Sequence, residues 1–93
     1  MYFAIVCKDH EGALELRART RPAHLEYLKP FVDKILFAGP FLEDAGDNSI
    51  GGLIVIDLPS LEEAKKFAVR DPYALAGLFH SVEVIPWRKV IPT

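Results

Sequence analysis

Two residues carry most of the chemical promise in this chain. His24 follows Pro22, and proline suits the first turn of a helix because its missing N–H is not needed there. On that reading His24 sits in the first turn, beside the apolar face. The partial positive charge of a helix N-terminus disfavours the imidazolium, and a neutral imidazole near pH 7 can take a proton. A half-buried histidine with no chemical task fits the same position. Asp71 precedes Pro72 and makes a good N-cap: its carboxylate accepts backbone N–H bonds while proline fills the first helical position. That role needs no active site. The same carboxylate has capacity to accept a bond from His24, hold one imidazole tautomer and stabilise its protonated form.

Other residues could complete a site. Arg17 and Arg21 lie seven and three residues before His24. Two guanidinium groups near an imidazole suit an anionic or enol-type oxygen, although a solvated basic patch has the same spacing. Gly39-Pro40 could let backbone approach a ligand closely, or could be a strand bulge. Tyr73 could line a pocket or pack on the core. His10 and His80 have no evident partner and read as surface residues. Asp44 and Asp47 read as a solvated turn, because no further oxygen ligands are arrayed at loop spacing.

Several function classes are disfavoured. There is no phosphate-cradling glycine loop, no Cys/His metal spacing and no nucleophile motif. No cofactor or metal is therefore expected. The formal charge is −2, with no basic run, so no nucleic-acid partner is expected. No apolar run approaches the roughly 20 residues of a membrane span. One cysteine, Cys7, sits in an apolar run and reads as a small buried hydrophobe. With no visible signal segment, these features make the cytoplasm the expected location.

The elements that must position these residues follow from periodicity. The 93 residues make one domain, 1–93, and 51% of them are hydrophobic, a surplus that small chains often use to hold a partner. Tyr2 to Lys8 reads as a strand. Ala13 to Ala18 reads as a short helical segment. Pro22 opens a helix with Leu25, Leu28, Val32 and Ile35 on one face. Pro30 should kink it, and the helix runs to about Lys34. Ile35 to Leu42 reads as an edge strand, since Pro40 cannot donate to a ladder. Ile50 to Leu58 is a third strand. Ser60 with Glu63 forms a capping box, followed by Leu61, Ala64, Phe67 and Ala68 on one helix face. A short turn from Asp71 leads to a last strand, His80 to Val90. The order βαββαβ predicts an α+β, ferredoxin-like fold, an antiparallel sheet with both helices on one face. The first and third strands lack the alternation of a half-wet sheet, so a second copy packed sheet to sheet is expected to cover the other face.

The run Arg21-Pro22-Ala23-His24-Leu25, then Gly39-Pro40, then Asp71-Pro72-Tyr73 with Ala76-Gly77, resembles the YCII-related (YciI-like) family over almost the whole chain. The resemblance implies a dimeric α/β barrel with a pocket in each subunit and a His-Asp dyad at His24 and Asp71. It also implies acid/base chemistry without a metal, since one relative is similar to a dehydrochlorinase acting on a chlorinated hydroxyhydroquinone. Many relatives place a serine after the glycine that opens the third strand. This chain has Gly51-Gly52 there, with Ser49 nearby.

Two functions follow. One is a lyase or isomerase in which His24 acts on a small aromatic or enolisable molecule, with Asp71 orienting it. The other is a non-catalytic module that holds a small acidic metabolite through Arg17 and Arg21, or that mainly self-assembles. An open cleft faced by both His24 and Asp71 favours chemistry. A pair sealed among packed side chains favours the second.

Overall fold

A computed structural model describes residues 1–93. The elements are β1 (Tyr2–Asp9), α1 (Leu14–Leu28), a 3-10 helix (Lys29–Lys34), β2 (Ile35–Leu42), β3 (Ser49–Asp57), α2 (Leu61–Arg70), α3 (Pro72–Leu75) and β4 (Phe79–Trp87). The four strands form one antiparallel sheet in the order β2-β3-β1-β4. This is the ferredoxin-like arrangement that the order of elements predicts. No helix is long and apolar enough to cross a membrane.

One face of the sheet carries the core. In β1, Phe3, Ile5 and Cys7 alternate onto it, and their β3 neighbours Ile56 and Ile54 join them. Ala64, Phe67 and Ala68 of α2 pack down on this surface. α2 starts where Ser60 Oγ accepts the Glu63 N–H at 3.1 Å. Glu63 itself faces Lys66 at 3.6 Å, so only the serine half of the capping box is made.

α1 differs from expectation. It begins at Leu14, ten residues before His24, so the two expected helical segments are one helix and Pro22 lies inside it. His24 therefore does not sit at a helix N-terminus, and the dipole does not explain its state. Pro22 costs the helix one N–H bond, but Pro22 and Ala18, whose carbonyl loses that donor, are both exposed. Water can satisfy that carbonyl. The flanking Leu-Glu-Leu-Arg-Ala-Arg run is made of good helix formers. Contacts further along hold the far end: Tyr27 donates its hydroxyl to the Phe67 carbonyl at 2.9 Å, and the Tyr27, Phe31 and Phe67 rings cluster at 4.8–5.6 Å. The packed residues are thus Tyr27, Leu28, Phe31 and Ile35, which keeps Leu28 and Ile35 of the expected stripe. Leu25 and Val32 are largely exposed. The α-helix ends at Leu28 and tightens into the 3-10 helix, with Pro30 near its start.

β2 is an edge strand, as Pro40 requires. Its irregularities lie between Ile35 and Phe37 and between Phe41 and Leu42, not at Gly39-Pro40, where Pro40 pairs in register with Gly52. β4 ends at Trp87, three residues short of the expected limit.

The other face of the sheet is partly covered by the chain itself. Ala4 and Val55 point there, yet they are only 8% and 2% exposed. The rings of Phe37 on β2 and Trp87 on β4 meet at 5.9 Å across two intervening strands, and Tyr2 lies 6.0 Å from Trp87. Ala4 on the middle strand β1 leaves room for these rings to lie over the sheet. Phe37 and Ile85 remain about half exposed on this face.

Candidate active site

The helix-side surface of the sheet stops being apolar at its β1 end. The series Phe3, Ile5, Cys7 continues to Asp9, which puts a carboxylate where the alternation calls for a buried residue. Its side chain is 5% exposed, and its partner is Arg17 on the second turn of α1. Arg17 Nε donates to Asp9 Oδ2 at 2.7 Å and Nη2 to Oδ1 at 3.3 Å, a two-pronged pair of the geometry that guanidinium and carboxylate share. Burial pulls the Arg17 pKa down, but the Asp9 hydrogen bonds and charge outweigh it, and the net shift is upward.

Tyr73 extends this group. The Arg17 guanidinium carbon lies 4.6 Å above the centre of its ring. The His24 imidazole stacks on the same ring at 4.1 Å and 21°. Tyr73 is buried and lines the cleft. Burial, opposed by the nearby Arg17 and Arg21 charges, raises its pKa. The side chain is a neutral phenol at physiological pH.

Asp71 serves two groups at once. It is the N-cap of α3, with Oδ1 accepting the Tyr73 N–H at 2.9 Å and Pro72 at the first helical position. Its two oxygens also lie 2.9 Å from His24 Nδ1. A carboxylate can only accept, so Nδ1 carries a proton, and in the neutral form of the ring Nε2 is the basic nitrogen. The Asp71 side chain is 6% exposed and that of His24 15%. No buried side-chain nitrogen or oxygen lacks a partner. Nε2 has none in the protein, so it keeps some access to solvent, and His24 lines the cleft. α3 closes through Gly77, whose φ of +76° favours glycine. Leu78 then donates its N–H back to the Tyr73 carbonyl at 3.1 Å, which ties the Asp71 turn to the start of β4.

The cleft has a volume of about 800 Å³. His24, Asp71, Arg17, Arg21, Tyr73, Gly39 and Pro40 all line it, so the fold brings the seven candidate site residues to one place. Leu25, Leu28 and Ile54 supply apolar wall, and Ser49 also lines the cleft. Arg21 is exposed and forms no ion pair, unlike Arg17. Cys7 also reaches the cleft. Burial, then the negative charges of Asp71 and Asp9, pushes its thiol from 9.0 up to about 12, so it is no nucleophile. His10 and His80 lie outside the cleft, stacked on each other at 5.5 Å.

Asp9 is the residue that sequence reasoning missed. It stands next to His10, Glu11 and Gly12, a polar stretch between the first strand and the first helix. The signal was its parity with Phe3, Ile5 and Cys7, which places a charge inward and demands a cation.

The sequence profile of the YCII-related domain matches residues 1–88. A protein called YciI from Escherichia coli is 36% identical over 97 aligned positions, covering 97% of this chain and 99% of its own length. An uncharacterised protein of Haemophilus influenzae is 33% identical over the same shares. Among solved structures, the 5-chloro-2-hydroxyhydroquinone dehydrochlorinase of Burkholderia phenoliruptrix, in complex with 2,5-dihydroxybenzoquinone, superposes with a TM-score of 0.90 at 34% identity, covering 95% of this chain and 94% of that one. An Agrobacterium tumefaciens protein shares the fold at a TM-score of 0.58 and 16% identity. With a profile match from β1 through β4 and full-length relatives above 30% identity, this chain belongs to the YCII-related family.

Proposed function

We propose that this protein is a small-molecule enzyme in which His24 performs acid/base chemistry on a phenolic or enolisable ring, with elimination or isomerisation as the reaction type. One observation carries the reading: the Asp71 carboxylate fixes the Nδ1–H of His24, which leaves Nε2 without a protein partner on a residue that lines the cleft. A base held in one tautomer can take a hydroxyl proton and return it to a ring carbon. Arg17 and Arg21 supply positive charge for the oxygen that becomes negative on the way. For dehydrochlorination, one hydroxyl proton moves to the carbon bearing chlorine. Loss of a second hydroxyl proton then expels chloride, and HCl is the net product.

The likeness to a dehydrochlorinase supports this chemistry as the first to test. Purified protein is expected to release chloride from 5-chloro-2-hydroxyhydroquinone well above the uncatalysed rate. Release no faster than in buffer would reject dehydrochlorination. The exposed, unpaired Arg21 favours the other reading, a module that holds a small acid without turning it over. Binding of 2,5-dihydroxybenzoquinone without any turnover would support that reading instead.

The protein is further proposed to work as a homodimer through the sheet face that carries Phe37 and Ile85. Both side chains stay about half exposed there, around an Ala4 and Val55 centre that is already dry. Light scattering at micromolar concentration is expected to give twice the 10.4 kDa chain mass. A single-chain mass would contradict it.

A further inference from the structure

The two adjacent glycines that open β3 have opposite physical reasons. A Cβ on Gly51 would lie 2.3 Å from the Cys7 carbonyl oxygen, which no backbone tolerates. Gly51 is required by the sheet. Gly52 is not. It pairs with Cys7 on one side and Pro40 on the other, so its missing side chain would point with Cys7 into the cleft. A Cβ there would meet only the Gly39 carbonyl oxygen at 3.7 Å and Arg17 Nη2 at 3.9 Å, both ordinary contacts. Its φ is not in the left-handed region. Glycine inside a strand costs roughly 0.5–1 kcal/mol relative to alanine, and here neither the backbone nor the packing demands it.

A glycine that a strand does not need commonly marks the close approach of another group. The group that fits is set by what surrounds it. Arg17 is held by Asp9 through Nε and one N–H of Nη2, and Nη2 lies beside the bare Gly52 backbone with its second N–H still to give. We infer that Gly52 is a specificity-determining position, where the bare strand seats one edge of a planar ring and directs a phenolate or enolate oxygen to the Arg17 guanidinium. His24 Nε2 then works on a different part of the same ring. The inference rests on the proposed function and adds the orientation and class of its substrate.

The test uses full-length protein, 2,5-dihydroxybenzoquinone as probe, and the variants Gly52→Ala and Gly52→Val. Gly52→Ala should melt at or above the wild-type temperature, because its Cβ meets only ordinary contacts and glycine inside a strand costs stability relative to alanine. Overfilling a fitted site weakens binding, and calorimetry is expected to show a Kd about tenfold higher for Gly52→Val, with a smaller rise for Gly52→Ala. Folded variants that bind as tightly as wild type would overturn the inference. So would a large fall in melting temperature for Gly52→Ala, since the glycine would then be structural. If wild type binds no probe at all, the functional reading fails first and the Gly52 inference falls with it. Equal wild-type and variant affinities instead leave that reading standing.

Discussion

His24→Asn is expected to cut kcat/KM for chloride release by about 10²- to 10⁴-fold while the melting temperature stays close to wild type, given that acid/base help is worth roughly that range. The choice of variant matters. An asparagine amide N–H can take the place of Nδ1–H and keep donating to Asp71, but it offers no basic nitrogen at the Nε2 position. The fold keeps its hydrogen bond and loses only the base. His24→Ala tests something broader, because it also strips a partner from a carboxylate that is 4% exposed as a residue. Leaving a buried acceptor short of a donor costs about 1–3 kcal/mol. Activity lost in both variants, with stability lost mainly in alanine, assigns the chemistry to Nε2. Activity retained in His24→Asn would remove His24 from the mechanism.

The second large effect falls on Asp71. Asp71→Asn keeps an oxygen for the Tyr73 N–H, so the α3 cap survives and the fold is expected to hold. Its amide nitrogen, however, would present a donor to His24 Nδ1. The imidazole then has to accept at Nδ1 and carry its proton on Nε2, the nitrogen that should be basic. Turnover is expected to fall by at least about 10²-fold with binding of 2,5-dihydroxybenzoquinone little changed, the signature of an orienting group. Asp71→Ala is harsher. It removes the cap as well as the dyad, with a cost of about 1–3 kcal/mol on a domain of this size, visible as a clear drop in melting temperature. An Asp71→Asn protein that turns over normally would mean that Asp71 serves only the cap.

Most of this site could be read from residue types, because the residues that build it obey local rules. Asp-Pro at a helix start is a cap whatever surrounds it, and Ser60 with Glu63 marks α2 on the same grounds. The apolar strands Phe3–Cys7 and Leu53–Ile56 announce a sheet with little wet surface, and Ala4 and Val55 are indeed buried on the face away from the helices. What escaped depended on distant partners. Pro22 argues locally for a helix start, but contacts from Tyr27 and Phe31 to Phe67 hold α1 together through it. Asp9 looks like loop polarity until Arg17, eight residues later, is folded back onto it. The cover that Phe37 and Trp87 give the sheet joins β2 to β4, and no window of sequence contains both.

These corrections change the argument for His24. A helix terminus does not set its state. Its orientation and tautomer instead come from Asp71, which accepts the Nδ1–H, and from the Tyr73 ring stacked against it. That claim has a direct measurement in ¹⁵N spectra of histidine-labelled protein near neutral pH. The neutral form of the His24 ring is expected to keep its proton on Nδ1 with Nε2 bare, and the Nε2 signal is expected to move when 2,5-dihydroxybenzoquinone is added. A ring protonated at Nε2 instead, or an Nε2 signal indifferent to the quinone, would contradict it.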